Sequence, residues 1–188
     1  MQRIPVFQGK PQIGVYKFAS CDGCQLALLN LGETLLKLAE VVDFVHFPEA
    51  GPVAPDAPVD IAFVEGSITT AHDQVRIQQV RAQARFLVTL GACATAGGVQ
   101  ALRNIHASGD WLGAVYARPD YVDSLATSTP IAAHVKVDLE LWGCPVNGDQ
   151  VVGALRALLY GTLPPQDKDK VCLTCKRQQT VCVLVAKG

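Results

Sequence analysis

Four cysteines of this chain lie in three short motifs that could hold a metal. Cys21 and Cys24 form Cys-Asp-Gly-Cys, Cys93 lies in Gly-Ala-Cys-Ala-Thr-Ala-Gly-Gly, and Cys144 lies in Trp-Gly-Cys-Pro. Four converging thiolates suit an iron–sulfur cluster or zinc. Two other readings compete. A Cys-x-x-Cys at a strand-to-helix junction is also the thioredoxin-type redox arrangement, and free cysteines are common core residues. Neither gives Cys93 and Cys144 a shared role. Structural zinc usually draws on two close ligand pairs. Only one close pair is present here, so a cluster is favoured over a zinc-stabilised module.

The elements around these motifs predict that the thiols meet. Ile13 to Ala19, Val41 to Phe47, Val59 to Val64, Arg85 to Leu90 and Val135 to Leu141 read as five strands. Helical apolar spacing covers Gly23 to Glu40 and Gln150 to Tyr160, the latter stopped by Gly161. Thr70-Ala-His-Asp73 starts a further helix with a capping box, and a short helix is expected over Gly97 to Arg103. Strands alternating with helices predict a parallel sheet covered on both faces. With five strands the expected order is flavodoxin-like. Strand ends on one edge of such a sheet face one crevice, and Cys21, Glu65, Cys93 and Cys144 all follow or close strands. Gly23, Gly91 and Gly143 would let backbone approach a bound group closely. Glu65 suits either proton movement or a hydrogen bond to backbone beside the site.

Residues 1–163 are thus expected to form one flavodoxin-like domain, with Asn104 to His134 as a long, weakly patterned surface segment. Residues 164–188 read as a polar linker followed by Cys172, Cys175 and Cys182. Three thiols are one short of a cubane's usual four, so the fourth ligand is expected to lie beyond the sequence shown. His46, His72, His106 and His134 are scattered and read as surface or hydrogen-bonded histidines. Trp111 and Trp142 read as core or interface anchors.

Composition narrows the rest. The chain has 188 residues, 49% hydrophobic and 18% charged, with net charge −1. A basic excess suited to nucleic acid is absent, and no apolar run is long enough to span a membrane. Seven cysteines in the reducing cytosol, the default location, suit metal or redox chemistry better than disulfides.

The motifs Ser20-Cys-Asp-Gly-Cys-Gln25, Val64-Glu-Gly-Ser67, Gly91-Ala-Cys-Ala-Thr-Ala-Gly-Gly98 and Gly143-Cys-Pro145 resemble the small subunit of [NiFe] hydrogenases. The segment from Cys172 to Val185 resembles the cytosolic NAD(P)-linked type, including sulfhydrogenase delta subunits. The resemblance implies that Cys21, Cys24, Cys93 and Cys144 hold a proximal [4Fe-4S] cluster, with Glu65 beside it. It implies an electron-transfer role in a hydrogenase, without bond chemistry on this chain. It also implies a large-subunit partner carrying the nickel–iron centre, and diaphorase subunits carrying further iron–sulfur, flavin and NAD(P) sites. The cluster subunit of respiratory complex I shares this layout but typically has adjacent cysteines where Cys21 and Cys24 stand apart.

Overall fold

The computed structural model describes residues 7, 9–105, 108–164 and 171–187. His106 and linker residues 165–170 lie outside them. Five strands, β1 (Gln12–Lys17), β2 (Asp43–His46), β3 (Val59–Glu65), β4 (Ala84–Leu90) and β5 (Leu139–Leu141), pair in parallel in the order β2-β1-β3-β4-β5. This is the flavodoxin-like order.

The central strands are apolar on both faces because both faces are covered. On one side, α1 (Gly23–Leu29) and α6 (Gly148–Leu159) bring Leu28, Val151, Leu155 and Leu158 onto Val15, Phe63 and Val88. On the other, α3 (Ala71–Gln83) brings Ile77 and Val80 onto Tyr16, Val64 and Leu87. Each such aliphatic side chain contributes about 1.5–3 kcal/mol through burial. Helix α3 begins with the expected capping box between Thr70 and Asp73.

Register then levels the strand ends. Lys17 pairs with Glu65, Glu65 with Leu90, and Leu90 with Leu141. The segments holding Cys21, Gly66, Cys93 and Cys144 therefore leave the sheet along one edge.

Several local expectations are corrected. The helix expected over Gly23 to Glu40 is two helices, α1 and α2 (Glu33–Val41). The chain turns between them at Gly32, whose φ of 55° favours glycine. The fifth strand is only three residues long. Its expected start is lost because Val135 N–H bonds to Ile131 O and Asp138 turns to Arg81 and the Leu87 N–H. The helix expected after Gly97 is a 3-10 helix, Val99–Ile105, preceded by α4 (Gly91–Ala96), which carries Cys93. The weakly patterned segment holds a further helix, α5 (Ser108–Val115). Trp111 and Trp142 are both exposed, so neither is a core anchor. Beyond the linker lie α7 (Val171–Arg177) and α8 (Val183–Lys187).

Candidate metal centre

The turn after β1 delivers the first two thiols. Asp22 takes a left-handed conformation, φ 63°, which aspartate tolerates better than most residues. Its carboxylate is held by Lys17 Nζ at 2.5 Å. This turn leaves Cys21 exposed and sends Cys24 inward on α1. Glu65, at the end of β3 and 1% exposed, accepts the backbone N–H groups of Cys24 at 3.0 Å and Gln25 at 3.3 Å. The first turn of α1 therefore directs its free donors at Glu65 rather than at the Cys24 sulfur.

Gly91 opens α4 with φ 77°, and a Cβ there would overlap Cys24 Sγ. A Cβ on Gly98, φ 63°, would lie 2.6 Å from Cys93 Sγ. Both glycines are required by positive φ and by the thiol each one faces. Gly23 is a looser fit, its virtual Cβ standing 3.3 Å from Cys21 Sγ.

The fourth thiol is set by the chain after β5. Gly143 has φ 150°, its carbonyl accepts the Ala92 N–H at 2.7 Å, and a cis bond joins Cys144 to Pro145. Gly143 and Val146 form a β-bridge around the turn. The Val146 N–H points back at Cys24 Sγ, 3.4 Å away. The segments carrying Cys93 and Cys144 are thus tied together, and the second of them is tied to Cys24.

The thiols act on one another electrostatically. Burial pushes the Cys24 thiol up to about 12, against the lowering effect of the Val146 donor, and Glu65, Cys93 and Cys21 add to the rise. Burial also raises Cys93, which feels Cys144 and Cys21 as well as Glu65. All four thiols and Glu65 therefore share one neighbourhood. Four thiolates brought together at this edge would need positive charge, which a metal centre would supply. All seven cysteines are free thiols, and among the described residues no three Cys, His, Asp or Glu side chains are drawn in around one ion position. Cys172 and Cys175 lie on α7, and Cys182 precedes α8.

Two participants were not legible in the sequence. Gln100 Oε1 lies 3.5 Å from Cys93 Sγ, and its Nε2 donates to Ala19 O at 2.6 Å, joining the Cys93 and Cys21 segments. A polar residue shortly beyond the glycine pair that follows Cys93 was the only hint. The Val146 donor is backbone, and residue type says nothing about it.

The chain as a whole is similar to known proteins. Residues 21–158 match the family described as NADH ubiquinone oxidoreductase, 20 Kd subunit. Sulfhydrogenase 2 subunit delta of Pyrococcus furiosus is 32% identical over 176 residues, covering 94% of this chain and 73% of that one. A vhu subunit of the F420-non-reducing hydrogenase of Methanocaldococcus jannaschii is 28% identical over 180 residues. That match covers 89% of this chain, which spans only 62% of the relative's length. A crystal structure of an NAD+-reducing [NiFe]-hydrogenase in the H2-reduced state contains a chain that superposes with a TM-score of 0.77 at 30% identity. The match covers 85% of this chain and 96% of that one.

Proposed function

Because the chain belongs to the family of the 20 Kd subunit of NADH ubiquinone oxidoreductase, with hydrogenase subunits among its relatives, we propose that it is the electron-transfer subunit of a cytoplasmic [NiFe] hydrogenase. The observation that carries this reading is the thiol neighbourhood at the level strand ends, cut to shape by Gly91 and Gly98. Cys21, Cys24, Cys93 and Cys144 would hold a [4Fe-4S] cluster. When bound, that cluster supplies a one-electron centre whose potential depends on charge, hydrogen bonds and burial.

The chain's own groups do the positioning. Glu65 fixes the backbone of Cys24, Val146 N–H sets a donor on its sulfur, and Gln100 steadies Cys93. Buried Glu65 keeps a carboxylate beside the site, and Gly143 joins the two later segments. The nickel–iron centre would belong to a large subunit docked against the strand-end edge. NAD(P), flavin and further iron–sulfur groups would belong to diaphorase subunits. Residues 1–163 form the cluster domain in this reading. Residues 164–188 are the linker and start of a second cluster-binding domain, to which Cys172, Cys175 and Cys182 would give three ligands.

The test is anaerobic isolation of the chain with its partners, followed by iron, sulfide and nickel analysis and EPR. A brown protein with about four irons at the first site is expected. Cys93→Ser should lower iron content and abolish or alter the EPR signal. Unchanged iron and an unchanged signal in that variant would sink the assignment.

A further inference from the structure

Gln100 stands where two thiol-bearing segments meet. It lies on the 3-10 helix Val99–Ile105. Asn104, on the same helix, exchanges two hydrogen bonds of 2.8 Å with the backbone of Ser128, and Arg103 donates to Ser124 Oγ at 2.6 Å. The helix is thereby pinned, and the Gln100 side chain reaches out from a fixed base. Gly98 leaves it the room. A Cβ there would lie 2.6 Å from Cys93 Sγ and 2.7 Å from Gln100 Oε1.

The chemistry of its two partners decides which way the amide faces. Ala19 O is a carbonyl and can only accept, so the atom 2.6 Å from it is the donor Nε2. Oε1 is then the atom that faces Cys93 Sγ, at 3.5 Å, and Oε1 can only accept. Cys93 is therefore the donor of that bond, through its S–H. This arrangement suits a protonated thiol.

A sulfur that ligates a metal has lost its proton to solvent. It can accept but no longer donate, so Oε1 facing it would set two lone pairs against each other with no hydrogen between them. Nε2 is the atom that such a sulfur requires. Turning the amide gives up the bond to Ala19 O, but that carbonyl is not orphaned. It also accepts the Ser67 N–H at 2.9 Å, within a β-bridge between Ala19 and Ser67. Gln100 itself is half-buried, so the displaced oxygen can meet water.

We infer that Gln100 is a positioning residue with two settings. In the metal-free chain, Oε1 holds the Cys93 thiol while Nε2 holds Ala19, two residues before Cys21, so both segments are kept together before metal arrives. With Cys93 ligated, the amide turns and Nε2 donates to the Cys93 sulfur. The second setting rests on the cluster site proposed above; the first does not.

Two measurements on the full chain test the two settings. Gln100→Met keeps the side-chain length and removes both polar atoms. In the metal-free chain, iodoacetamide should then alkylate Cys93 about fivefold faster, the loss of one hydrogen bond, with exposed Cys182 as the internal reference. An unchanged rate would overturn the inference. In the iron-loaded chain, electron–nuclear double resonance is read on the EPR signal that Cys93→Ser removes. One exchangeable proton line present in the wild type should be missing from Gln100→Met, while a line from the Val146 N–H on Cys24 remains in both. The midpoint potential of that signal should also fall, because a donor to sulfur favours the more negative reduced state. Equal iron with an unchanged line and potential would overturn the second setting and leave the cluster site standing. A wild type that takes up no iron would overturn the cluster site and the second setting with it, and the alkylation rate would still judge the first. Gln100→Glu keeps the shape, offers no N–H and serves as the second variant if Gln100→Met fails to load; the same line should be missing. Should neither load, the alkylation rate decides alone.

Discussion

At Gly91, a hydrogen in place of a methyl group decides whether the Cys24 thiol keeps its position. Gly91→Ala adds a Cβ in overlap with Cys24 Sγ at a φ of 77°. Strain from the left-handed backbone and from overpacking should together cost about 2 kcal/mol or more. A lower urea midpoint and a loss of bound iron, measured on the same preparation, are the expected outcomes. His46 carries a pH prediction. Its ring is buried, and Nδ1 accepts the Ala54 N–H at 3.2 Å, which requires the neutral form. Burial first, and the Arg76 charge second, hold its pKa below the ordinary value. The associated stability is therefore complete above the unfolded value of about 6.5 and is lost as pH falls through the lowered folded value. His46→Gln removes this titration, so its urea midpoint should fall less than the wild type's between about pH 7.5 and about pH 5. The four thiols and Glu65 were legible because their residue types and glycine neighbours are rare signals. Gln100 was not, because an ordinary polar residue acquires meaning only from what lies beside it.

Among the elements, β5 departs furthest from its sequence pattern. Val135 to Leu141 alternates like a strand, yet only Leu139–Leu141 pairs with β4. The cause is Asp138, whose side chain is 6% exposed and receives Arg81 Nη1 at 2.6 Å and the Leu87 N–H at 2.9 Å. This carboxylate ties α3 to the sheet just before β5. Asp138→Ala would leave Arg81 without its carboxylate partner and the Leu87 N–H without its acceptor, and should destabilise the fold by about 3 kcal/mol; chemical denaturation followed by far-UV circular dichroism measures it. The strand order was predictable from alternation of strands with helices, because right-handed crossovers leave few topologies. The split of the first helix was not, because its leucine spacing continues across Gly32. There the positive φ of one glycine outweighs a periodicity that on its own favours continuation.

For the molecule as a whole, part of the exposed apolar surface lies close in sequence to the proposed cluster edge. Val99, Leu102, Ile105, Trp111, Val115 and Tyr121 follow the Cys93 segment, and Trp142 closely precedes Cys144. If this is the face that meets the large subunit, Ile105→Asp should reduce co-purification of that subunit while leaving the iron content of this chain unchanged. Iron lost together with the partner would count against an interface role. Among the described residues no helix is long and apolar enough to cross a membrane. The sheet order β2-β1-β3-β4-β5 has one last consequence, for synthesis. Cys144 emerges from the ribosome long after Cys21, Cys24 and Cys93, behind the strand that must dock at the sheet's edge. Until then the nascent polypeptide carries only three of the four thiols of the proposed cluster site. Cluster delivery would therefore have to wait for, or itself drive, the docking of that final strand.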